Sequence, residues 1–146
     1  MGMGAIDYAI HRDIKPKTIV VTDISDDRIN RAKQILTVEE AKNNGVDLHY
    51  VNPNNYENPI EYIKGLNNES GFDDVMVYVP IKALVEQADL LLGKDGCMNF
   101  FAGPIDSKFS SEINMYNIHY QATKIIGSTG GNTDDMLESL DMTSKG

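Results

Sequence analysis

Short apolar runs of strand length alternate along this chain with stretches whose apolar residues recur at helical spacing. Thr18–Thr22 reads T-I-V-V-T, Leu48–Val51 reads L-H-Y-V and Val75–Val79 reads V-M-V-Y-V. Gly96–Gly103, G-C-M-N-F-F-A-G, and Lys124–Ser128, K-I-I-G-S, complete the set. These apolar runs predict strands; the β-branched Ile19–Val21 reads as a strand buried on both faces of a parallel sheet, and Val75–Val79 as another buried strand. Between the strands, Ala5–His11 mixes small and apolar residues, as a helix packed tightly on a sheet would. Ser25 is placed to cap a second helix with Asp26 and Asp27 in its first turn and an apolar stripe of Ile29, Ala32, Ile35 and Leu36. Thr37-Val38-Glu39-Glu40 restarts a helix that Gly45 closes. The turn Asn52–Asn55 precedes a short helix Ile60–Leu66 opened by Pro59. Pro80 begins a helix through Leu92 with Gly93 as its stop; a loop and a short extended stretch follow the fourth strand; Thr133 caps a final helix, Asp134–Met142.

This alternation predicts an α/β fold, a parallel sheet with helices on both faces, in one domain spanning residues 1–146. It does not separate a dinucleotide-binding fold from flavodoxin-like or methyltransferase-like sheets, so the site residues must decide. The net charge of −9, with no basic cluster to offset it, excludes a nucleic-acid backbone as partner. A single cysteine, Cys97, excludes a disulfide framework and a zinc site built from several thiolates. No apolar run approaches the ~20 residues that span a bilayer, and no signal peptide is visible, so a cytoplasmic location with no membrane partner is expected.

The position that carries chemistry is Asp23, at the end of the Thr18–Thr22 run and 21 residues after Gly2. In dinucleotide-binding βαβ units an acidic residue there accepts hydrogen bonds from a ribose hydroxyl, about 20 residues beyond a G-x-G-x-x-G turn. Only the last glycine of that turn could be present, as Gly2, and with Met3 it would sit at the helix end facing a pyrophosphate. A carboxylate at position 23 favours NAD over NADP, because a 2′-phosphate would face like charge; Arg28 blurs that preference. Nucleotides bind beyond the carboxyl ends of parallel strands, which nominates Asn52, Val79, Pro80, Phe101, Ala102, Gly103, Ser128 and Thr129 as cofactor lining. His11, His49 and His119 lack metal-ligand spacing, and neither a catalytic residue nor a metal ligand is assigned.

Several stretches together resemble the medium-chain zinc-binding alcohol dehydrogenases, in the branch holding sorbitol and threonine dehydrogenases. They are M-G-M-G-A-I-D-Y at Met1–Tyr8, T-D-I-S-D-D-R at Thr22–Arg28, N-I-H-Y at Asn117–Tyr120 and G-S-T-G-G-N at Gly127–Asn132. G-V-D-L-H-Y-V-N at Gly45–Asn52 and N-F-F-A-G-P at Asn99–Pro104 are similar to the ketose-phosphate reductases and sugar-alcohol-phosphate dehydrogenases of that family. The resemblance implies a Rossmann-like, doubly wound sheet lacking its first strand, and a chain that is only the cofactor half of a longer enzyme. It further implies NAD(H) as cofactor, Arg28 lying over the adenine, and zinc held only by a catalytic domain absent from this chain. The substrate of the parent would be a ketose or ketose phosphate such as L-sorbose 1-phosphate, or the matching sugar-alcohol phosphate. Such a fragment is expected to be inactive alone and to bind cofactor poorly. Without a central first strand, the Thr18–Thr22 and Val75–Val79 strands should pair directly across the gap, or a second copy should fill it in a homo-oligomer.

Overall fold

A computed structural model describes residues 2–145; Met1 and Gly146, with the parts of the motifs that fall on them, lie outside the described residues. The order of elements is α1 (Gly2–His11), β1 (Thr18–Thr22), α2 (Asp26–Ile35), α3 (Val38–Asn43), β2 (Asp47–Val51), α4 (Pro59–Gly65), β3 (Phe72–Val77), α5 (Lys82–Leu91), β4 (Leu92–Phe100), α6 (Met115–Tyr120), β5 (Lys124–Gly127) and α7 (Thr133–Lys145). A 3-10 turn, Pro53–Asn55, follows β2. All strand pairs are parallel, and the fold is Rossmann-like α/β.

The strands form two sheets rather than one. β1 pairs β2, and separately β3, β4 and β5 pair in that order. Among the described residues β1 and β3 do not pair, so the expected joining across the gap is corrected: each keeps an unpaired edge.

Each sheet has its own core. Ile19 and Val21 stand opposite Leu48 and Tyr50, and alternation along a strand puts these four on one face. Ile6 and Ile10 of α1, four apart on one side of the helix, pack there with Leu36, Ala41 and Val46. In the second sheet, Val75 and Val77 face Met98 and Phe100 across the ladder, and Val85 and Ala88 of α5 cover them. Phe109 and Ile113, from the loop after β4, complete that core.

The strands are less buried than their apolar runs suggest. β1 is half-buried along most of its length, Met76 and Val79 are exposed, and all four residues of β5 are exposed. In β3, where exposure alternates, the helical cover lies on one face; β5, the edge strand of the second sheet, has no residue in either core cluster.

Caps explain most boundaries. Ser25 and Thr37 cap α2 and α3 by accepting backbone N–H bonds from Arg28 and Glu40, and Asn58 caps α4. The third strand ends at Val77, and α5 starts at Lys82 rather than at Pro80, with no side-chain cap. Gly93 is not a helix stop but part of β4. There the backbones of Gly71 and Gly93 nearly touch: a Cβ on Gly71, whose φ is +73°, would lie 2.6 Å from the Gly93 nitrogen. The stretch expected to be extended contains α6 instead, because the Asn114 side chain accepts the N–H groups of Tyr116 and Asn117. The buried Asp89 of α5 holds that turn by accepting the Asn114 N–H at 3.0 Å. Asn132, not Thr133, caps α7, accepting from Asp134 and Asp135 at 2.7 and 3.0 Å.

Candidate functional site

β1 delivers Asp23 to the carboxyl rim of the first sheet, where its N–H still donates to Val51 at 3.2 Å. The Asp23 side chain is about a third exposed, at 31%, so its carboxylate is open to a ligand. Oδ1 accepts the Ser25 N–H at 2.8 Å and Arg28 Nη2 at 2.7 Å. Oδ2 accepts Arg28 Nε at 2.8 Å. The two-pronged guanidinium bond, the largest influence, holds the Asp23 pKa below its ordinary 3.8, and the Ser25 and Ile24 N–H groups act in the same direction. Arg28 is raised in return by the same contact.

Asn52, at the end of β2, is buried and ties the two strand ends together. Its Nδ2 donates to Asp26 Oδ1 at 2.8 Å and to the Ile24 carbonyl at 3.3 Å, while its Oδ1 accepts the Asn54 N–H at 3.1 Å. Its polar atoms thus fix the loop that carries Asp23. Asp26, one of the first-turn acids of α2, is the partner in this arrangement that a charge count does not reveal.

At the rim of the second sheet, Phe101, Ala102, Gly103, Ser128 and Thr129 line one cavity of about 380 Å³ together with Phe100, Pro104 and Gly127. The backbone turns inward there because the Phe101 and Ala102 N–H groups both bond to the Val77 carbonyl, at 3.1 and 3.0 Å. Ser128 Oγ donates to Asn99 Oδ1 at 3.0 Å. Phe100, Pro104 and Gly127 join the lining because they flank the nominated residues on the same strand ends. Val79 and Pro80 lie exposed in the loop between β3 and α5, outside that lining. Gly2 and Met3 begin α1; Met3 packs on the first core, while a Cβ at Gly2 would meet nothing within 4 Å.

Eight of the twelve nominated residues therefore fall into two groups on two strand rims, Asp23, Arg28 and Asn52 on one and the Phe101–Gly103 and Ser128–Thr129 segments on the other; Gly2, Met3, Val79 and Pro80 belong to neither. A carboxylate that accepts from hydroxyls and a cleft with a small-residue floor suit the sugar and ring parts of a dinucleotide. Among the described residues no group of three or more His, Cys, Asp or Glu is arranged to hold an ion. The histidines have other surroundings: His11 lies beside Asp7 and Glu40, His49 lies near Asp47, and His119 meets Tyr120 edge-on. Nor is any helix of the described residues long and apolar enough to cross a membrane.

The fold places the chain among the Rossmann-like parallel α/β proteins. The family model described as "Zinc-binding dehydrogenase" matches residues 1–145, and the chain belongs to that family. It is 53% identical over 146 residues to mannitol-1-phosphate 5-dehydrogenase of Aliivibrio fischeri, covering 100% of this chain and 34% of that protein. It is 42% identical over 140 residues to L-sorbose 1-phosphate reductase of Klebsiella pneumoniae, covering 96% of this chain and 33% of that one. Among solved structures, 2R,3R-butanediol dehydrogenase from Bacillus subtilis superposes with a TM-score of 0.75 at 15% identity, over 99% of this chain and 35% of that one. The chain thus spans about a third of the length of the curated relatives it matches.

Proposed function

We propose that this chain is the cofactor-binding part of a zinc-type dehydrogenase acting on a sugar-alcohol phosphate or ketose phosphate, of the kind that L-sorbose 1-phosphate represents. The observation that carries the reading is the Asp23 carboxylate, ionised and open at the carboxyl rim of a parallel strand pair. NAD(H) is the proposed cofactor. Asp23 would accept from the adenosine ribose, Arg28 would lie over the adenine, and Asn52 would fix the loop that aims Asp23. The Phe101–Gly103 and Ser128–Thr129 segments would take the nicotinamide end, and Gly2 with Met3 the pyrophosphate end. Val79 and Pro80 would border the path between them. When bound, the nicotinamide gives or takes hydride. This chain's residues bind and orient it and keep Asp23 ionised. No group of zinc donors stands among the described residues.

The second reading is a stand-alone nucleotide-binding module without hydride chemistry, favoured by the absence of any grouped acid–base pair in the cavity lining. Titration with NADH and with S-adenosylmethionine, followed by fluorescence and thermal shift, tests the first reading against a methyltransferase-like site. NADH alone should bind, and Asp23→Asn should weaken it. Turnover of a sugar-alcohol phosphate with NAD by this chain alone would contradict its assignment as a cofactor-binding part.

A further inference from the structure

Resting on the cofactor reading above, we infer that Glu86 and Asp89 of α5 are positioning residues for the nicotinamide end of the dinucleotide. They act through the loop that runs from the Phe101–Gly103 floor to α6, which is strapped to one side of α5. Lys82, Glu86 and Asp89 stand at i, i+4 and i+7 and so share a face of that helix. Glu86 Oε1 accepts the Glu112 N–H at 3.2 Å and lies 3.4 Å from the Ser111 hydroxyl. Asp89 Oδ2 accepts the Asn114 N–H at 3.0 Å, and the Lys82 ammonium lies 3.2 Å from the Glu112 carboxylate.

Asp89 is 4% exposed, and its Oδ1 has no hydrogen-bond partner among the described residues. A carboxylate so deep, with one oxygen unpaired, costs stability. The bond it does make goes to the strap, which marks the residue as placed for that bond rather than for the core. The strap in turn reaches the cavity. Asp106 closes a turn by accepting the Lys108 N–H on its side chain at 2.9 Å and the Phe109 N–H on its carbonyl at 3.0 Å. Phe109 then stacks on Phe100 with ring centroids 5.9 Å apart. Phe100 and Pro104, on either side of the floor segment, both line the cavity of about 380 Å³. Loss of the carboxylate acceptors leaves the Glu112 and Asn114 N–H groups without these partners, frees the far end of the strap and loosens Phe109 behind Phe100. The wall of the nicotinamide end then shifts. The Asp23 rim stands on a separate sheet with its own core and is spared.

The test titrates the whole chain by amide NMR with NADH and with 5′-ADP, which has the adenosine and pyrophosphate but no nicotinamide. Glu86→Ala and Asp89→Ala should each weaken NADH about threefold to tenfold, the scale of one lost hydrogen bond, and leave 5′-ADP within about twofold of wild type. Glu86→Gln and Asp89→Asn keep a carbonyl acceptor and should restore most of the NADH binding. Asp89→Leu, which fills the space without an acceptor, should not. Equal weakening of both probes in the alanine variants would overturn the inference and leave the strap a structural element. NADH binding unchanged in both alanine variants would overturn it too. Failure of 5′-ADP to bind wild type would instead remove the cofactor reading, and the inference with it. Amide dispersion reports the fold of each variant, and Glu86, with its side chain 33% exposed, tests the strap even if Asp89→Ala does not fold.

Discussion

At the scale of single residues, the site depends on keeping one carboxylate ionised and aimed. Arg28 lowers the Asp23 pKa below 3.8, so the sign of its linkage is fixed. The stabilising contribution is complete above the ordinary value and is lost as pH falls through the depressed folded value. Denaturation of wild type and Asp23→Asn should therefore show a constant stability difference above about pH 4 that shrinks as pH falls below it; a difference that persists undiminished into strong acid would contradict the ion pair. Asn52→Ala should loosen the same loop without touching a ligand. Its buried amide satisfies the Ile24 carbonyl, Asp26 and the Asn54 N–H, and its removal should cost about 1–3 kcal/mol in chemical denaturation. Asp23 was legible from its place at the end of an apolar run. Asn52 sits at a strand end, as its nomination as lining requires, and its side chain also bonds the loop, a role visible only once Asp26 lies beside it.

At the scale of elements, caps and close approaches decide the boundaries. Gly71→Ala meets two penalties, a positive φ and a backbone nitrogen 2.6 Å away, and should destabilise the chain by about 2–4 kcal/mol. Asn114→Ala removes the acceptor for two N–H groups of α6 and should cost about 1 kcal/mol; thermal denaturation reads both. The strands were legible as short apolar runs, and so were the helices opened by Ser25, Thr37 and Pro59. What escaped the sequence has a common cause. Gly93 takes its role from Gly71, and the Asn114 turn, though its cap bonds are local, is held in place by Asp89; local pattern carries no record of these distant partners. Burial on both faces was over-read for a similar reason: Met76 has strand neighbours but no covering layer among the described residues.

At the scale of the whole molecule, two cores with no shared ladder hold the two rims. Ile10→Ala and Met98→Ala each empty a fully buried position and should each cost about 2–5 kcal/mol. Hydrogen exchange should show the first lowering protection mainly in β1 and β2 and the second mainly in β3 and β4; uniform loss in both variants would mean one cooperative unit. The unpaired edges of β1 and β3 should draw the chain into a homo-oligomer, which sedimentation would register as concentration dependence, and a monomer at all concentrations would argue against. The most direct test of the central claim is amide NMR mapping of NADH on the full chain. The account predicts shifts concentrated at Asp23–Arg28 together with Phe101–Gly103 and Ser128–Thr129, and their loss at the first of these in Asp23→Asn. Shifts confined to other surfaces, or unchanged in that variant, would contradict it.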